Sequence, residues 1–476
     1  MLNLYEKQKM GLLLIGAERF RPLGSNTKRG SYLERKTAEA DSMVSDCGKF
    51  AEVVFPGIVF TREDAVSAIK TFTKEDVDYV LCVFLSWAED FAWNRFLRDM
   101  PPIPILYAHN VKDQVNLGNT SDDDEFTEYL CYGGLVGSLE ASGDNIRYNR
   151  PMFETVLGTW SEVLKRSYVF GKAAHARALL RKSSMGLLAC FNEAMWSTYV
   201  DPYDIFMKVG PELHFLSVAE LRDTIEAIPD GEVASVMEDL KRTYVMEEDV
   251  DLHKFFASVR ASMGMERLAT HYDLDLLVLN DIDTVLFQQV GLRPGFWPTA
   301  NEVKTLVVPE GDIGGGLAAY LLKLVSQKRV NFIEPFHLDL PNDNFAAGHA
   351  GPNDYREEGG KTLIARDVRF AKTKWKYAGA PFAWHTFSPG IKTMVHCSER
   401  NGSFILVATK VECLPTEHFL ATYSHGLFRA IGQTNEQLFE KLLKIGVTQH
   451  YSIVSGDYVE ILKDLASLLG FEFFSL

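Results

Sequence analysis

The chain has 476 residues, 46% hydrophobic and 24% charged, the balance of an ordinary globular protein of about three domains at ~150 residues each. Its net charge of −15 disfavours nonspecific binding to nucleic acid or anionic membrane, because neutralising phosphates needs clustered Lys and Arg. The 6 cysteines are dispersed with no CxxC, which removes support for zinc ribbons and thioredoxin motifs and fits a reducing cytoplasm, and no apolar run approaches the ~20 residues that span a bilayer.

The N-terminal run Gly11-Leu12-Leu13-Leu14-Ile15-Gly16 leads into charged Glu18 and Arg19, so it reads as a first strand and not as a signal peptide. Residues 53–55, 80–85 and 103–109 are further strands, and Ala65, Ile69 and Phe72 fall at helical spacing between them. Short continuous apolar strands separated by helices imply a parallel sheet covered on both faces, with ligands beyond the carboxyl ends of the strands. Residues 116–128 form a polar, acidic stretch around Asp122-Asp123-Asp124-Glu125, expected to be a solvated turn. Residues 151–181 read as helical.

A second α/β unit opens with Met185-Gly186-Leu187-Leu188-Ala189-Cys190-Phe191. Residues 217–244 form two helices broken at Pro229-Asp230-Gly231, followed by a strand at 274–279 and a helix at 281–290. After Pro309 glycines cluster, and from Val330 the segments are β-rich: 330–333, 362–365, 393–396 and 404–411. Helices return at 435–445 and 457–469. The expected domains are 1–165, 166–330 and 331–476.

Residues 305–349 carry most of the chemistry. Two carboxylates, Glu310 and Glu334, terminate apolar strands joined by one helix, which places such ends side by side in a cleft. His349 follows Gly348, and far downstream His425 precedes Gly426; glycine lets the backbone approach a site closely. Two Glu and two His make a mixed nitrogen and oxygen set that suits a divalent ion such as Mn²⁺ and lacks the thiolates of structural zinc. The competing motif is Gly314-Gly315-Gly316-Leu317-Ala318-Ala319, which matches a dinucleotide fingerprint with Glu334 at the expected distance. That fingerprint wants its glycine turn directly after the strand, whereas residues 309–313 intervene, and Glu310 and Asp312 would set negative charge beside the phosphates.

With these residues in view, the chain resembles the L-arabinose isomerase branch of the L-arabinose/L-fucose isomerase family. Pro309-Glu310-Gly311-Asp312 stands where those enzymes carry Gly-Glu-Gly-Asp, Phe332-Ile333-Glu334 where they carry Phe-x-Glu, Gly348-His349 where they carry Gly-x-His, and Tyr423-Ser424-His425 where they carry Phe-Ser-His. The helices flanking Pro229-Asp230-Gly231-Glu232-Val233 resemble the family's central pair, and Leu14-Ile15-Gly16 its first strand. The sugar-facing positions depart: Gly16-Ala17-Glu18 and Arg21 replace Gly-Ser-Gln and a nearby Tyr, and Tyr132-Gly133-Gly134 replaces His-Gly-Gly.

The resemblance implies two Rossmann-like parallel-sheet α/β domains followed by a β-rich C-terminal domain. It implies a cytoplasmic aldose–ketose isomerase acting through a cis-enediol, on a sugar other than L-arabinose. Glu310 and Glu334 are the expected acid and base, and Glu310, Glu334, His349 and His425 the expected ligands of a divalent ion, Mn²⁺ or alternatively Co²⁺ or Mg²⁺. Asp312 is expected to cap the following helix or to orient a ligand. Glu18, Arg21 and Tyr132 are expected to select the substrate from the pocket rim. The partners implied are a small sugar and further copies of the chain, in a trimer or hexamer whose pockets are completed by a neighbouring subunit, with no nucleic acid and no membrane. The alternatives are a carbohydrate-binding or regulatory relative without turnover and, more weakly, an NAD-dependent oxidoreductase.

Overall fold

A computed structural model describes residues 7–112, 121–299 and 304–476, and the chain divides into two compact units, Tyr5–Ala178 and Leu179–Leu476. In the first unit five strands form one parallel sheet: β1 (Lys9–Ile15), β2 (Glu52–Val54), β3 (Tyr79–Phe84), β4 (Ile105–Asn110) and β5 (Phe153–Gly158), in the order β2-β1-β3-β4-β5. β3 is buried along its whole length and β1 from Met10 onward, as continuous apolar strands covered on both faces should be. The order places the switch point between β1 and β3, where Glu18 and the Ser86-Trp87 stretch follow the strand ends.

Two sequence expectations fail in this unit. Residues 151–181 are not helical throughout: β5 occupies Phe153–Gly158 before the helix Trp160–Leu180 begins. As an edge strand β5 is only partly buried, so its apolar signal is weak. The acidic stretch is not a turn over its described part. Asp122 accepts from the amides of Asp124 and Glu125 and caps the helix Asp123–Tyr132, whose first-turn carboxylates meet the positive end of the helix dipole. Residues 116–120 lie outside the described residues.

The second unit continues with β6 (Ser184–Leu188), β7 (Glu212–Leu216), β8 (Val245–Met246), β9 (Leu276–Leu279) and β10 (Leu306–Val308). All but β8 form a four-stranded parallel sheet in the order β10-β9-β6-β7, with its switch point between β6 and β9. The remaining strands are β11 (Asn331–Asp339), β12 (Asn344–Ala350), β13 (Lys361–Arg366), β14 (Pro381–Thr386), β15 (Gly390–Arg400), β16 (Ser403–Leu414), β17 (Tyr423–Ala430), β18 (Tyr451–Ser455) and β19 (Glu472–Ser475). Six of them, β16-β15-β18-β11-β12-β17, pair antiparallel in succession, and β17 pairs back onto β16, which closes a ring. Ile333, Phe345, Ala347, Met394, Val407, Phe428 and Ile453 form its apolar core.

The helix Ile313–Ser326 joins the two sheets, packing against β9 and β10 and also against β15 and β18. Its glycines make this possible. A Cβ on Gly314 would stand 2.7 Å from the Cys397 carbonyl oxygen on β15, and one on Gly316 would stand 2.9 Å from Val278 on β9. The expected division near residue 330 therefore separates no compact units, because one buried helix serves both sheets. Among the described residues no helix is long and apolar enough to cross a membrane.

Candidate metal centre

Glu310 leaves the carboxyl end of β10, the edge at which parallel sheets of this kind bind ligands. It adopts φ 63°, and Gly311 follows with φ 68°. A left-handed non-glycine residue costs on the order of 1–3 kcal/mol unless its surroundings hold it. Here the Glu310 amide donates to Asp281 Oδ1 at 3.0 Å. The turn aims the carboxylate at two imidazoles: Oε1 lies 3.8 Å from His349 Nε2, and Oε2 lies 3.3 Å from His450 Nε2.

Each imidazole is oriented through its other nitrogen. His349, on β12, donates from Nδ1 to the Ala350 carbonyl at 2.6 Å. His450, immediately before β18, has Nδ1 2.8 Å from Asp312 Oδ2. Asp312 Oδ1 accepts from the Gly315 amide at 2.8 Å, so one carboxylate caps the helix Ile313–Ser326 and holds a histidine. Phe332 on β11 lies against both rings, with centroids 5.0 Å from His349 and 4.8 Å from His450.

Glu310, His349 and His450 are all buried and offer ligand atoms within 4.8 Å of one another. Glu310 Oε2, His349 Nε2 and His450 Nε2 are each buried without a hydrogen-bond partner. Three orphaned polar atoms converging at one point are costly unless a further group satisfies them. A carboxylate oxygen and two imidazole nitrogens fit a divalent transition ion with positions left for water or substrate oxygen. The Asp312–His450 contact is the carboxylate–histidine arrangement that orients metal-binding imidazoles. Burial raises the affinity of Glu310 for a proton, but the two imidazoles outweigh it and hold the carboxyl well below the usual range. Burial pulls His450 down, while Asp312 and Glu310 push it up to about 9.

Of the four ligands expected from sequence, Glu310 and His349 meet, and His425 does not join them. β17 pairs His425 with Gly348, the neighbour of His349, and successive residues of a strand face opposite sides. His425 instead donates from Nδ1 to the Tyr423 carbonyl at 2.7 Å, and its Nε2 accepts from the Phe419 amide at 3.2 Å. Its ring lies among Trp384, His418 and Phe419. The place expected for it is taken by His450. Glu334 stands half-buried on β11, two residues beyond Phe332, outside the three-residue group. Burial is the main cause that raises the Tyr423 phenol, and the Glu334 and Glu310 carboxylates add to it, so both carboxylates act on one phenol.

The glycine motif does not form a phosphate cradle. Gly314, Gly315 and Gly316 are buried against Cys397, Phe332 and Val278, and Asp312 already caps the helix. In the first unit Glu18 and Arg21 form an ion pair at 3.1 Å with each side chain 42% exposed, and Tyr132 is half-buried at the end of the helix Asp123–Tyr132.

His450 was missed because the expected elements jump from the helix at 435–445 to the one at 457–469. The signal is Tyr451-Ser452-Ile453-Val454, a short β-prone stretch rich in aromatic and β-branched residues with a histidine directly before it. No family model matches the chain, and no curated protein matches it.

Proposed function

We propose that this chain is a divalent-metal-dependent aldose–ketose isomerase of the L-arabinose/L-fucose isomerase type, working through a cis-enediol on a sugar other than L-arabinose. The observation that carries this reading is the convergence of three buried, unpartnered ligand atoms from Glu310, His349 and His450 at the carboxyl edge of a parallel sheet. In this reading those residues hold the ion, Mn²⁺ foremost and Co²⁺ or Mg²⁺ as alternatives. The ion, when bound, supplies positive charge beside the oxygens of the developing enediolate.

The chain's own groups divide the remaining work. Glu310 is held ionised and faces two imidazoles, so it serves as a ligand and is a poor proton carrier near neutral pH. Glu334 is half-buried on β11, acts with Glu310 on the Tyr423 phenol, and is assigned the proton transfer between C1 and C2. Glu18, Arg21 and Tyr132 remain assigned to substrate selection. An ion pair as exposed as Glu18–Arg21 is worth under ~1 kcal/mol, so a ligand can replace it at little cost. Assembly into a trimer or hexamer is part of the proposal. It is supported by the exposed apolar side chains Leu135, Leu139 and Ile146 on one helix, Gly134–Tyr148.

The test is metal analysis joined to a sugar panel. Chelated protein is titrated with Mn²⁺, Co²⁺ and Mg²⁺ by calorimetry, and ketose formation is followed from aldopentoses, aldohexoses and deoxy sugars. The expected result is about one ion per chain, with ketose formed from at least one sugar, lost on chelation and restored by the ion. Absence of both binding and ketose rejects the reading. Ion binding without turnover of any sugar favours the non-catalytic carbohydrate-binding relative.

A further inference from the structure

We infer that Asp281, Arg293 and Asp367 form a buried positioning triad that sets the mutual geometry of Glu310 and His349. The inference rests on the metal reading above.

Asp281 follows β9 and is fully buried. Its Oδ1 accepts from the Glu310 amide at 3.0 Å, and its Oδ2 accepts from Arg293 Nη1 at 3.2 Å. Arg293 donates from Nε to Asp367 Oδ2 at 2.8 Å, and its guanidinium lies over the rings of Phe370 and Phe382 at 5.0 and 5.5 Å. Asp367 directly follows β13, and its Oδ1 accepts from the Arg369 amide. The guanidinium is thus held by two carboxylates and two rings, and it fixes Asp281 in turn.

Asp281 bears on both ligand-carrying segments. One oxygen holds the amide of Glu310 itself, in the left-handed conformation that turns the carboxylate toward the histidines. The other abuts Gly351, two residues beyond His349, where φ is 107° and a Cβ would stand 2.5 Å from Asp281 Oδ2. Glu310 and His349 come from different sheets, so their relative placement needs a link. A buried ion triad is a poor device for stability alone, because apolar side chains of similar volume usually do as well. Arg293 Nη2 is also left buried without a partner, so the cluster is not tuned for hydrogen-bond saturation. Its evident yield is a fixed carboxylate at the junction of the two segments.

The test compares Asp281→Asn, Arg293→Lys and a control, Val411→Ala, which trims the apolar core of the strand ring far from the triad in sequence. Asp281→Asn keeps the shape but opposes an amide donor to Arg293 or to the Glu310 amide. Arg293→Lys keeps the charge but loses the fork that spans two carboxylates. Each protein is titrated with Co²⁺, and the visible absorption of the loaded form is recorded beside thermal unfolding of the ion-free form. Supporting partners of metal ligands typically contribute ~10–100-fold in affinity, so both triad variants should bind Co²⁺ at least ~10-fold more weakly, with a changed absorption band. Val411→Ala should lose thermal stability while keeping the wild-type affinity and band. Wild-type affinity and an unchanged band in both triad variants would overturn the inference. So would equal weakening in Val411→Ala, which would mark the effect as general loosening. Should Asp281→Asn fail to fold, Arg293→Lys decides. Failure of the wild-type protein itself to bind Co²⁺ overturns the metal reading instead, and is seen before any variant is compared.

Discussion

His450 has one ring nitrogen committed to Asp312 and the other facing Glu310 without a hydrogen bond. His425 has both nitrogens committed to backbone groups. This difference makes the histidines separable by experiment. His450→Ala should weaken Mn²⁺ binding by at least ~100-fold, beyond the range typical of supporting partners, whereas His425→Ala should leave it within about threefold. Calorimetric titration of both variants checks this, and the reverse ranking would return His425 to the site. The pH dependence of the ion-free protein follows from the same contacts. The folded-state value of His450 is raised to about 9 from an ordinary ~6.5, so its stabilising contribution is complete below ~6.5 and is lost as pH rises through 9. Glu310 is depressed, so its contribution is complete above its ordinary ~4.3 and is lost as pH falls below that. Melting temperature of chelated protein should therefore decline between pH 7 and 10, and His450→Gln should flatten that decline. A metal ligand must shed its proton, so Mn²⁺ affinity should rise over the same interval.

At the scale of elements, sequence patterns revealed the parallel strands best. β1, β3 and β6 are continuous apolar runs, and such runs buried on both faces are their own signal. The ring of antiparallel strands was less legible. β18 is short and flanked by helices, yet it sits between β15 and β11 and brings His450 to the site. The glutamate after β10 is legible because it ends an apolar strand, and the histidine of β12 because the glycine before it marks tight backbone. The glycine cue misleads at β17, where Gly426 beside His425 packs against Phe387, Cys413 and Phe428. What separates His349 from His425 is strand parity, which requires knowing that His425 pairs with Gly348. Gly348 is where this pairing is most sensitive. A Cβ there would collide with the Ser424 carbonyl oxygen and stand 2.8 Å from the His425 Cα, so backbone would have to move. Gly348→Ala should destabilise the protein by about 1–3 kcal/mol in denaturant titration and weaken Mn²⁺ binding through the neighbouring His349. A variant with unchanged stability would show that β12 and β17 are not so closely paired.

For the whole molecule, the decisive fact is that Glu310, His349 and His450 all lie in Leu179–Leu476, while Tyr5–Ala178 carries its own apolar core around β1, β3 and β4. Sequence showed that strands and helices alternate up to the glycine cluster. It could not show that the second parallel sheet and the β-ring share one helix, because an all-round buried helix such as Ile313–Ser326 has no polar face to reveal which neighbours it serves. An ion bound by the folded second unit, and not by its unfolded chain, stabilises that unit by mass action, about 2.7 kcal/mol at a free concentration 100 times the dissociation constant. The first unit supplies none of the three atoms, so it has no share in this term. Hydrogen exchange followed by peptide should therefore show slower exchange with saturating Mn²⁺ at residues 306–326, 344–350 and 450–455. Peptides covering β1 and β3 should exchange at the same rate with and without the ion, provided the chain stays in one assembly state during the measurement. Equal protection of both units would mean that they unfold as one cooperative body, and protection confined to β1 and β3 would place the ion in the first unit, at the Glu18 edge of its sheet.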